Sequence, residues 1–126
     1  MAEALGVADK VIYLGTAVPG EEMNRIYNIA EATVFASEYE GFPLVCVESV
    51  SAGIPVVICS DLSVNLGDGC LITETDKAAN VIEEMILSQS DEYKNLCICA
   101  RRNAENNYSW QKIARDYLTS FIEGDN

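Results

Sequence analysis

Residues 37–57 read SEYEGFPLVCVESVSAGIPVV, and the way this stretch divides decides the fold. Ser37 to Pro43 is polar and holds both Gly and Pro, so it predicts a loop. From Leu44 the run LVCV has strand propensity, but it continues into the small residues of ESVSA and stops at Gly53, two residues ahead of Pro55. Pro43 suits the first turn of a helix and Gly53 its C-terminal cap, so Leu44 to Ala52 predicts a buried helix. Pro55 to Cys59 (PVVIC) then predicts the next strand. A strand at Thr33 to Ala36 (TVFA) before the loop completes a strand–helix–strand unit, the building block of a parallel α/β sheet.

Working outward, Val11 to Leu14 (VIYL) is an apolar run ended by Gly15 and predicts a buried parallel strand. A loop, GTAVPG, leads to Glu21 and Glu22, acids placed where a helix start favours them, with Met23, Ile26, Tyr27 and Ala30 at helical spacing behind them. Beyond the loop SDLSVNLGDG, Cys70 to Thr73 predicts a strand and Asp76 to Ser88 an amphipathic helix. Asp91 to Phe121 predicts two helices divided near YSW, with Ser109 as N-cap of the second.

The chain has 126 residues, 49% of them hydrophobic, which suits one compact domain over 1–126. Twenty acids against eight bases leave a net charge of −12 with no basic stripe, which excludes a phosphate-neutralising nucleic-acid surface. No segment is long or apolar enough to span a bilayer. MAEALGVADK lacks the basic and apolar parts of a secretion signal, so the expected location is cytoplasmic. Five cysteines at irregular spacing argue for thiols rather than a disulfide framework. With no histidine and only Cys97-x-Cys99 as a paired motif, no metal site is expected.

Two acids in the opening stretch need their own account. Glu40 and Glu48 are separated by seven residues. Loops at the carboxyl ends of parallel strands line the ligand cleft of such a fold, and here that means Gly15 to Gly20 and Ser37 to Pro43. Glu40 is then placed in the cleft loop. Glu48 falls on a helix otherwise suited to burial, where an ionised carboxylate is expensive unless partnered. The unpaired amides at the start of that helix form a seat for phosphate, and Gly41 allows close approach. Helical rise would separate the two acids by on the order of 12 Å. A ligand with an anionic centre and hydroxyl-rich ends, such as a nucleotide sugar, matches that layout.

SEYEGFPLVCVESVSAGIPVV also resembles the donor-binding signature of the retaining GT-B glycosyltransferases, the glycosyl transferases group 1 family. VIYLGTAVPGEEMNRIYNIAEATVFAS upstream and NNYSWQKIARDYL near the end agree with that family in the same order. The resemblance implies a Rossmann-like parallel sheet flanked by helices, the C-terminal half of a GT-B fold without its first strand. It implies Glu40 as the catalytic-site acid on the hydroxyls of the transferred sugar and Glu48 on the ribose hydroxyls. It places the backbone of Gly41, Phe42, Pro43 and Leu44 against the diphosphate and sugar, and Gly15, Thr16, Ala17 and Val18 near the base. The donor would be a UDP-, GDP- or ADP-linked sugar, with no cofactor, and the acceptor a glycan or lipid-linked chain. The N-terminal acceptor domain and the basic residues that usually pair the diphosphate would be missing, and none of Lys10, Arg25 and Lys77 lies in a motif to replace them. The chain alone is therefore expected to bind donor weakly and transfer nothing. The sheet edge left by the missing strand is a candidate homodimer contact, and the complete enzyme is cytoplasmic or peripheral to the membrane. The alternative is a stand-alone nucleotide-binding or docking module completed by a separate acceptor-domain chain. A receiver-like or flavodoxin-like domain ranks last because neither explains Glu48.

Overall fold

A computed structural model of the chain describes residues 1–15, 19–59 and 66–123, apart from the side chain of residue 123. After a 3-10 turn at Ala8–Lys10, the order is α1 (Gly20–Ile29), β1 (Thr33–Phe35), α2 (Leu44–Ser51), β2 (Val56–Ile58) and β3 (Cys70–Ile72). There follow a helical segment containing α3 (Ala78–Val81), then α4 (Asp91–Asn107) and α5 (Trp110–Glu123). The strands form one parallel sheet in the order β1-β2-β3, with Thr33 opposite Val56 and Val56 opposite Cys70. This is the α/β, Rossmann-like arrangement expected of half a GT-B fold.

β2 is central and wholly buried, which is why its sequence is an unbroken apolar run. Its alternating side chains divide the core in two. Val56 and Ile58 pack with Cys46 and Val50 of α2 and with Ala100 and Ala104 of α4. Val57 packs on the opposite face with Ala78, Ile86 and Tyr93. Small residues on α4 let it lie close against the sheet: a Cβ on Gly69, just ahead of β3, would sit 2.4 Å from Ala100 Cα.

Helix α2 ends as its sequence requires. Gly53 has φ +79°, its N–H donates to the Val50 carbonyl at 3.0 Å, and the Ile54 N–H donates to Ser49 at 3.0 Å. That pair of bonds is a Schellman closure, which needs a left-handed residue at the glycine. Pro43 precedes the first helical residue instead of occupying the first turn. Ser109 caps α5 as expected, accepting the Lys112 N–H at 3.3 Å.

Two expectations are corrected. Val11 to Leu14 forms no strand: Ile12 and Tyr13 are 84% and 83% exposed, and β1 pairs only with β2 among the described residues. An apolar run becomes a strand only when a neighbouring strand takes its amides, and none among the described residues does so. The expected helix from Asp76 to Ser88 is not uniform. It opens as a 3-10 turn at Thr75–Lys77, is α-helical over Ala78–Val81, and widens into a π-helix over Ile82–Leu87. No helix among the described residues is long and apolar enough to cross a membrane.

Candidate functional site

A cleft of about 1060 Å³ lies between α1, α2 and the junction of α4 with α5. Asn24, Tyr27 and Asn28 line it from α1, and Val47, Glu48 and Ser51 from α2. Arg101, Tyr108 and Trp110 close the third side. Phe42 reaches it from the preceding loop, its ring centroid 6.3 Å from that of Tyr108.

Of the residues singled out from sequence, Phe42, Leu44 and Glu48 meet on the wall of this cleft, whereas Glu40, Gly41, Pro43 and Gly15 are not among its lining residues. Thr16, Ala17 and Val18 lie outside the described residues. Glu40 is exposed in the loop ahead of α2. It is near enough for its charge to reach the Cys46 thiol, which burial first and Glu40 second push up to about 11. A Cβ at Gly41 would meet nothing within 4 Å, so the loop is open at that point.

Glu48 departs from expectation in its surroundings. It is exposed, so the cost of burying a carboxylate does not bear on it. Its Oε2 instead accepts a hydrogen bond from the Tyr27 hydroxyl at 3.1 Å, while the same hydroxyl lies 3.3 Å from the Val45 carbonyl. Tyr27 is 7% exposed, and burial, followed by its bond to Glu48, pushes its phenol up to about 12. The phenol therefore stays neutral and donates.

The anion seat is narrower than expected. The Leu44 N–H donates to Phe42 and the Cys46 N–H to Pro43, each at 3.0 Å. Val45 keeps the one amide at this helix start with no acceptor among the described residues. No side chain caps the start and no acid occupies the first turn, so the positive end of the helix is not neutralised locally.

Three participants escaped sequence reasoning. Tyr27 was legible only as one residue of the apolar stripe on α1, although a hydroxyl at a buried position signals a needed partner. Arg101 is the cation among the described lining residues. Its guanidinium bonds the Ser51 carbonyl at the end of α2 and pairs with Glu105 at 2.8 Å. Tyr108 follows α4, and nothing in its local sequence points at Phe42.

The structure thus joins a parallel α/β sheet to an uncapped helix start after a glycine-containing loop, with a partnered carboxylate on the wall of the adjoining cleft. The glycosyl transferases group 1 family profile matches residues 1–103, and the chain belongs to that family. It is 29% identical over 124 residues to an uncharacterized glycosyltransferase of Methanocaldococcus jannaschii, covering 93% of this chain and 31% of the relative. Over 113 residues it is 28% identical to the O-antigen chain mannosyltransferase B of Escherichia coli, covering 86% of this chain and 29% of the relative. Identity to the MMP alpha-(1->4)-mannosyltransferase of Mycolicibacterium hassiacum is 31% over 117 residues, covering 87% and 28% respectively. The chain thus spans about three tenths of the length of these relatives.

Proposed function

We propose that this chain is the donor-binding part of a retaining glycosyltransferase, which moves a sugar from a nucleotide-diphospho-sugar to a glycan or lipid-linked acceptor. The observation that carries the reading is Glu48, an exposed carboxylate on the cleft wall held by Tyr27, one helical turn beyond the open start of α2. In this reading Glu48 accepts hydrogen bonds from the ribose hydroxyls, and Glu40 accepts them from the transferred sugar. The diphosphate lies across the open loop at Gly41 and the helix start, where the Val45 amide has no acceptor among the described residues. Two of the relatives named above are mannosyltransferases, which agrees with a hexose donor.

Transfer requires charge on the departing diphosphate to be neutralised as the glycosidic bond breaks. Arg101, the cation among the described lining residues, bonds Ser51 and pairs with Glu105. In this reading the basic groups that neutralise the diphosphate come from outside this chain, from segments continuous with it or from a separate chain. The exposed apolar side chains of Ile12, Tyr13, Trp110 and Phe121, each 75% exposed or more, offer surface for an acceptor domain to cover. The chain alone is a weak binder and transfers nothing.

The test is an amide NMR titration of the chain with UDP-glucose, GDP-mannose and ADP-glucose. One donor should bind in the millimolar range, and Glu48→Ala should weaken it about tenfold or more, since hydrogen bonds to a charged acceptor contribute about 1.5–3 kcal/mol. Measurable affinity that Glu48→Ala leaves unchanged would remove the ribose assignment. Absence of any shift with all three donors would remove the donor site.

A further inference from the structure

From the geometry around Glu48 we propose that Tyr27 is a positioning residue for the nucleotide site, holding the Glu48 carboxylate in the one orientation that presents its second oxygen to the ribose. This deepens the proposed function and rests on it.

The argument begins with the freedom of a glutamate on a helix surface. Three rotatable bonds separate its backbone from the carboxylate, and immobilising such a side chain when a ligand arrives costs affinity. In this protein the ordering is done beforehand by a residue of a different element. Tyr27 belongs to α1, is buried, and reaches α2 through its hydroxyl. That burial restrains the ring. Its hydroxyl proton has two acceptors in reach, Glu48 Oε2 at 3.1 Å and the Val45 carbonyl at 3.3 Å. Both lie on α2, so the contact also sets how α1 meets that helix.

The bond leaves Glu48 able to bind. A carboxylate offers about four acceptor positions on its two oxygens. Tyr27 takes one on Oε2, and Oε1 has no protein donor among the described residues. A sugar diol needs two adjacent acceptor positions, which this arrangement still supplies. The neutrality of the phenol matters as well. A donor that ionised near neutral pH would set a second negative charge 3.1 Å from the carboxylate, but burial and Glu48 itself hold the Tyr27 proton on.

The experiment compares the 126-residue wild type with Tyr27→Phe, Glu48→Ala and the double variant, by amide NMR titration. The probes are ADP, UDP and GDP, each beside its 2′,3′-dideoxy counterpart. Tyr27→Phe keeps the ring and removes only the hydroxyl, so it should weaken the ribonucleotide about two- to tenfold, the cost of ordering one long side chain. Affinity for the dideoxy ligand, which gives Glu48 nothing to hold, should not change. In the double variant the loss should match that of Glu48→Ala alone, because Tyr27 acts through Glu48. If Tyr27→Phe weakens both ligand types equally, or adds to the effect of Glu48→Ala, the residue is structural and the inference is overturned. If Glu48→Ala weakens the ribonucleotide but Tyr27→Phe does not, the inference alone fails. If wild type binds the two ligand types alike, the ribose reading itself fails and takes the inference with it.

Discussion

Replacing Gly69 by alanine should unfold much of what holds the site together, without touching the site. Gly69 sits just before β3 with φ +103°, a conformation that costs an L-residue roughly 1–2 kcal/mol. The added Cβ would lie 2.4 Å from Ala100 Cα, 2.5 Å from Ala100 Cβ and 2.9 Å from the Ala100 amide nitrogen. Backbone and a β-carbon cannot rotate aside, so either α4 or β3 must move, and overpacking of this kind costs about 1–3 kcal/mol. Together the two terms reach about 2–5 kcal/mol, a large part of the stability of a domain this size. Gly41→Ala is the matched control: its Cβ meets nothing within 4 Å and its φ is not positive, so unfolding stability should stay within about 1 kcal/mol of wild type. Urea unfolding followed by circular dichroism gives both values. A Gly69→Ala variant within about 0.5 kcal/mol of wild type would refute the close packing of α4 against β3. The control carries a second readout, because Gly41→Ala should lower nucleotide-sugar affinity while leaving the fold intact.

Two further outcomes follow from side chains in and around the cleft. Arg101→Met keeps the aliphatic stem over Gly53 but removes the cation from the end of α2, and should cost about 1–2 kcal/mol in urea unfolding. Glu105→Ala, which removes only an exposed ion pair, should cost no more than about 0.5 kcal/mol, and equal losses from the two variants would contradict the role of the Ser51 bond. Stability should also fall at alkaline pH. Burial first of all raises Tyr27, Tyr93 and Cys70 to about 12 and Cys46 to about 11, from ordinary values of 10.0 for tyrosine and 9.0 for cysteine. The folded state thus keeps protons that the unfolded chain releases, so the contribution is complete below about pH 9 and is lost as pH rises toward 12. Urea midpoints that do not move between about pH 8 and about pH 11 would show that these groups titrate alike in both states.

The parts of the fold that sequence alone revealed are those whose cause is local. Gly53 and Pro55 bound α2 because a left-handed cap and a ring without an N–H act on their own neighbours, and Ser109 caps α5 for the same reason. PVVIC was legible as a strand from its apolar run, while its central place and its burial on both faces came only with the structure. Val11 to Leu14 has the same local signal, yet it is exposed, since strand formation depends on a neighbour that no local pattern can supply. The site divides in the same way. Glu48 could be found from its motif, but Tyr27 and Arg101 reach it from other elements, and only packing brings them there. The structure also replaces the reason for singling Glu48 out. Burial was the suspected cost, whereas the carboxylate is exposed and contributes nothing to either apolar core. An exposed glutamate fixed by a buried phenol has given up side-chain freedom worth up to about 2 kcal/mol without adding apolar contact. The hydrogen bond to this charged acceptor, worth about 1.5–3 kcal/mol, can offset that loss, and in the proposed reading it also leaves the carboxylate set for the ribose hydroxyls.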